Sequence, residues 1–186
     1  MIQFEDYLLL ESFEIGQKPL RHSKSEMKNI LIRYLSQKYK DAEAVANNIL
    51  NEYRDYFIFD FESSGNLYIG FMLKSNQSKY YEVHFNRFDK VDDFSNLNDG
   101  GVPFPILSMV FNYVYWYLID KNKPFMLSHS DPKRVRLYKS LLDKIIEKHH
   151  SELNHIQMTR KGNDIFVEDY KYIPNFMKKV MNETAS

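Results

Sequence analysis

Glu82 and His84 stand two apart in the stretch Lys79 to Phe88, where Tyr81, Val83 and Phe85 alternate with polar residues. In an extended strand, alternate side chains share a face, so Glu82, His84 and Asn86 are presented together, opposite the apolar three. A carboxylate beside an imidazole can act as a general base. Asp60 and Glu62 alternate in the same way on an earlier stretch and offer further carboxylates. The competing reading is a solvated polar face, which is what exposed polar residues usually form. Six His are present, but His149 and His150 are adjacent and would point apart on a helix. A zinc site needs three or four ligands at defined spacing, so no metal site is expected. Ser128-His129-Ser130 places hydroxyls and an imidazole side by side, yet sequence neighbours rarely form a nucleophile–base pair. A two-histidine phosphodiesterase would need a second His-x-Ser motif, and the sequence has none. It also has no Cys, which removes disulfides, thiol nucleophiles and Cys-ligated zinc.

Two other segments carry polar chemistry. Asn98-Asp99-Gly100-Gly101-Val102-Pro103 precedes an apolar helical stretch, and a helix N-terminus favours anions. Lys133, Arg134, Arg136, Lys139, Lys144 and Lys148 decorate one amphipathic stretch. They read as its solvated face, or as a contact with phosphate.

The elements that must position these residues follow from periodicity. Tyr7 to Ile15 contains Leu8, Leu9 and Leu10 and reads as an edge strand or the start of a helix, broken by Gly16 and Pro19. Ser23 and Glu26 have capping-box spacing. Met27, Ile30, Leu31, Tyr34 and Leu35 then predict a helix over about 24–39. Asp41 reads as the cap of a second helix bearing Val45, Ile49, Leu50 and Tyr53. Tyr56 to Phe61 and Leu67 to Leu73 read as a hairpin about Ser63-Ser64-Gly65-Asn66, with Lys79 to Phe88 as a third strand. After a polar loop, Ile106 to Ile119 is apolar on most sides and predicts a buried helix, with Pro105 in its first turn. Phe125 to His129 is a short strand. Ser130 or Asp131 caps a helix opened by Pro132, whose apolar face is Val135, Leu137, Tyr138, Leu141, Leu142, Ile145 and Ile146. His155 to Thr159 and Ile165 to Glu168 flank a turn at Lys161-Gly162-Asn163. Residues 1–174 read as a single domain and 175–186 as a polar tail.

This order resembles the GNAT acetyltransferases over nearly the whole chain. The resemblance implies an α/β (α+β) fold: a mixed, largely antiparallel sheet, two N-terminal helices, a buried central helix and a later amphipathic helix. In that family the loop before the central helix carries Arg or Gln, two residues, Gly, one residue, then Gly or Ala, and it cradles the pyrophosphate of acetyl-CoA. The resemblance therefore implies cofactor contacts at Asn98, Gly100, Gly101, Val102 and Phe104, with Arg134 near a phosphate. It also implies that Tyr138, in Arg134-Val135-Arg136-Leu137-Tyr138, is the acid that protonates the departing thiolate. Glu82 or His84 would then take the proton from the amine. The chain departs from the family at three places. Asn98 stands where Arg or Gln is usual, Asp99 adds a negative charge beside the phosphates, and Pro103 has no N–H to donate. The combination resembles uncharacterised GNAT-like proteins of tailed bacteriophages, degenerate at the same loop.

Lys plus Arg and Asp plus Glu are 25 each, so there is no basic excess to hold nucleic acid broadly. A nucleic-acid contact would have to come from the helix over Lys133 to Lys148. No apolar run reaches the length of a membrane span, and the acidic start lacks the basic region of a secretory signal. The sequence therefore predicts a cytoplasmic protein, or a virion component. The departures at the loop and the wealth of aromatics (14 Tyr, 14 Phe) favour a binding or assembly protein with a protein partner or self-association. The alternative is an acetyl-CoA-dependent N-acetyltransferase, which would need neither metal nor Cys.

Overall fold

The periodic segments of the sequence assemble around a sheet. The computed structural model describes residues 14–63, 65–89, 91, 104–128, 132–148 and 156–169, with Phe104, Lys133 and Asp169 described by backbone alone. Of the expected first element over Tyr7 to Ile15, Glu14 and Ile15 are described and lie in irregular backbone; Tyr7 to Phe13, the loop Asn98 to Pro103, His129 to Asp131, His149 to His155 and the tail lie outside the described residues.

Helix α1 spans Lys24–Leu35. It opens on the predicted capping box: the Glu26 N–H donates to Ser23 Oγ, and the Ser23 N–H donates to Glu26 Oε2. Met27, Ile30, Leu31, Tyr34 and Leu35 form its buried face, at the spacing that 3.6 residues per turn demands. It stops about a turn earlier than periodicity suggests. Ser36 caps it, donating its hydroxyl to the Arg33 carbonyl, a local bond that competes with the helix ladder. Helix α2 spans Ala42–Glu52, and Asp41 caps it by position without a side-chain hydrogen bond.

Among the described residues, six strands form one sheet in the order β1-β2-β3-β4-β6-β5. β1 is Tyr53–Ser63, β2 Asn66–Ser75 and β3 Tyr81–Arg87. Tyr53, expected on the face of α2, begins β1 because it pairs with Ser75 at the far end of β2. Helix α3 spans Phe104–Val114 and continues as a π-helical turn over Tyr115–Ile119. β4 is Phe125–Ser128, α4 Pro132–Lys148, β5 Ile156–Lys161 and β6 Asp164–Asp169. β3 and β4 run parallel, joined through α3, and the other neighbouring pairs are antiparallel. The turns between β1 and β2 and between β5 and β6 contain Gly65 (φ 73°) and Gly162 (φ 62°), left-handed positions that Gly occupies without a Cβ clash.

Alternation sorts the side chains onto two faces. One row across the strands is Phe59, Gly70 and Phe85; the next is Ile58, Phe71 and His84. On the first face Tyr113 of α3 stacks on Phe59 at 3.8 Å and Tyr117 on Phe57 at 4.1 Å. On the second face α1 packs: Tyr34 meets Phe71 edge-on at 5.9 Å, and Arg33 pairs with Asp60. The sheet is thus covered on both sides, by α1 on one and α3 on the other. One cluster of buried residues runs from Met27 to Val167. The molecule is a mixed α+β fold whose six-stranded sheet is mostly antiparallel.

Candidate functional site

β3 brings the two candidate bases, Glu82 and His84, beside each other. His84 Nε2 lies 3.4 Å from Glu82 Oε2, and their side chains are 23% and 37% exposed, open enough to meet a solute. The hydrogen bond to His84 holds the Glu82 carboxyl below its usual range, against the upward push of burial. Burial, then the Glu82 and Glu52 charges, raise the phenol of nearby Tyr53. The third polar residue of this face, Asn86, has a structural role. It is 3% exposed and donates to the Tyr34 hydroxyl at 3.0 Å, tying α1 to the sheet.

Tyr138 is elsewhere. It is 3% exposed, and its ring packs against Phe85 at 6.4 Å and Phe111 at 6.2 Å. Phe85 belongs to the opposite face of β3 from Glu82 and His84, so the sheet stands between the acid and the base that the resemblance implies. Arg134 lies one turn before Tyr138 on α4, half-buried. Of the α4 cations, Lys139 is paired with Asp143 at 2.7 Å and Lys144 with Glu147 at 3.7 Å, so these two charges are partly neutralised in place. Asp60, an alternative base, is committed to Arg33.

β3 and β4 pair over three positions, ending at Val83 opposite Leu127. β4 ends at Ser128, at the edge of the described residues, whereas β3 continues to Arg87, so the described β3–β4 ladder stops at Val83 and Leu127. α3 begins at Phe104, and Pro105 in its first turn supplies no N–H. Asn98, Gly100, Gly101 and Val102 lie outside the described residues, as does the side chain of Phe104. Among the described residues no group of three His, Asp or Glu is placed to hold a metal.

One polar cluster was not singled out by local pattern. The Tyr81 hydroxyl donates to Asp55 Oδ2, and Lys123 Nζ lies 3.5 Å from the same oxygen. Lys123 and Lys74 also sit over the Tyr81 ring, at 4.9 and 5.3 Å. Burial pushes the Asp55 carboxyl up, but the Tyr81 bond and the Lys123 charge outweigh it and hold the group below its usual range. Burial and Asp55 together raise the Tyr81 phenol far above its usual value. These residues come from β1, β2, β3 and the turn before β4. The signal available in sequence was the alternation that puts Tyr81 inward, with nothing to indicate its partner. Comparison with protein-family models, curated proteins and solved structures returns no match for this chain.

Proposed function

We propose that this chain is a non-catalytic binding or assembly protein built on a GNAT-like sheet, of the kind met in tailed bacteriophages. It would act on a protein partner or on copies of itself, in a host cytoplasm or a virion. The observation that carries this reading is the separation of Tyr138 from Glu82 and His84. A thiolate acid and an amine base must both reach one reacting carbonyl, within hydrogen-bond distance of their respective atoms. Here the phenol is packed among Phe85 and Phe111, while the carboxylate–imidazole pair opens on the other face. Asn98, Asp99 and Pro103 in the preceding loop support the same reading.

The GNAT likeness itself draws support from the parallel pair β3–β4 and the buried helix between them. The same parallel crossover favours a second reading, acetyl-CoA-dependent N-acetyltransfer, with the cofactor expected at the C-terminal end of that strand pair. Calorimetric titration with acetyl-CoA decides between them. The proposed reading expects no acetyl-CoA binding that depends on the loop before α3, so any titration is unchanged in Gly101→Trp, and no release of free thiol with amine acceptors. Micromolar binding that is lost in Gly101→Trp, with thiol release, would sink it.

A further inference from the structure

We propose that the cleft at the C-terminal end of α3 binds a small phosphorylated ligand. The cleft has a volume of about 430 Å³, within the range of small-molecule sites. It lies at the opposite end of α3 from Phe104, and the inference stands independently of the function proposed above.

Four cationic residues line it, Lys18, Arg21, Lys121 and Lys123, against one carboxylate, Asp55. The chain as a whole is neutral, so this excess is local and does not follow from overall composition. The four cations differ in how far they are committed. Lys123 is shared with Asp55, Lys121 lies 2.5 Å from Asp120, and Lys18 sits 5.9 Å from the Trp116 ring centroid. Arg21 has no hydrogen bond or ion pair among the described residues, and its charge acts on both the Tyr81 and Tyr117 phenols. Arg21 is the cation left to receive a ligand. Its planar fork of donors matches two phosphate oxygens, which a lysine cannot do.

The cations are also held in place beforehand. Lys18 and Arg21 belong to the segment before α1, and α3 straps that segment down through three side chains. Asn112 Nδ2 donates to the Gln17 carbonyl at 3.2 Å, Trp116 Nε1 to Gly16 at 3.0 Å and the Tyr117 hydroxyl to Pro19 at 2.6 Å. Preorganisation of this kind lowers the entropic cost of binding. A helix C-terminus ordinarily repels anions. Here its last carbonyls are answered by backbone N–H groups, Asp120 to Tyr115 at 2.7 Å, Lys123 to Leu118 and Asn122 to Ile119 at 2.9 Å each. The lysine ammonium groups are therefore not consumed as caps. The first is the i to i+5 bond of the π turn, a device found often at functional sites. The other two, with Asn122 at φ 52°, close the helix as a Schellman cap.

Pyrophosphate is the first probe, titrated calorimetrically into the full chain, with ADP as a second arm. The wild type should bind pyrophosphate, with affinity falling as salt rises. Arg21→Gln should weaken it about tenfold, the equivalent of about 1.4 kcal/mol, and Lys121→Gln should weaken it in the same direction. Both side chains are exposed, so the variants should melt as the wild type does. Lys40→Gln, in the exposed turn between α1 and α2, should change nothing. Tighter binding of ADP would assign a nucleotide as the source of the phosphate, and equal binding a simple phosphate ester. Silence at millimolar pyrophosphate, indifference to Arg21→Gln, loss in Gly101→Trp, or binding of an acidic peptide alone would each overturn the proposal.

Discussion

At Gly70 the physical constraint is space. A Cβ built there would lie 2.1 Å from the tip of the Phe59 ring, which is itself stacked on Tyr113. Gly70→Ala should therefore destabilise the fold by about 1–3 kcal/mol through overpacking, read from the urea midpoint. Phe59→Leu in the same background should recover part of the loss. A second residue-scale expectation concerns Glu82. Its carboxyl is lowered chiefly by the bond to His84, so His84→Ala should raise its titration midpoint toward the ordinary value, as followed by carboxyl NMR shifts. A midpoint unchanged by the substitution would show that the pair is not formed in solution.

Among the elements, α1 depends on its first turn. Ser23 accepts the Glu26 N–H there, so Ser23→Ala should cost about 1 kcal/mol, measured by denaturant unfolding. At the junction of β1 and β3, the lowered carboxyl of Asp55 links stability to pH. Its folded value lies below the unfolded one, about 3.9. The contribution is therefore complete above that pH and is lost as pH falls through the lower folded value. Tyr81→Phe removes the donor, so the variant should lose less stability than the wild type on acidification below about pH 4. Urea midpoints compared across that window would test this. Parallel curves for the two proteins would show that the Tyr81 bond does not hold the carboxyl down.

At the scale of the whole molecule, the sheet acts as a partition. α1 covers one face and α3 the other, with Tyr138 of α4 on the side of α3. A residue's neighbours are therefore decided by the parity of its strand position. Tyr138→Ala should destabilise the fold by about 3–5 kcal/mol, because it removes the buried ring packed on Phe85 and Phe111 and leaves a cavity. A thermal melt unchanged by the substitution would show that α4 is not held to the sheet through this ring.

Much of the element order was legible because it rests on local rules. The Ser23 capping box, the glycine turns at 65 and 162, Pro132 at the head of α4 and the alternation of β3 each depend on a few adjacent residues. The π turn over Tyr115–Ile119 escaped, because its apolar residues fit an α-helical stripe equally well. Only the tertiary structure decided how the hairpins join, with β4 between β3 and β6, and with that the fate of the site. Glu82 and His84 share a face by local geometry alone. That Tyr138 is packed beyond the opposite face follows from the path of α4 over Phe85, some fifty residues away, and no short-range pattern encodes it. The cleft is the same case. Lys18, Arg21, Asp55, Tyr81 and Lys123 are scattered along the sequence, and strand pairing together with the strap on α3 brings them to one place.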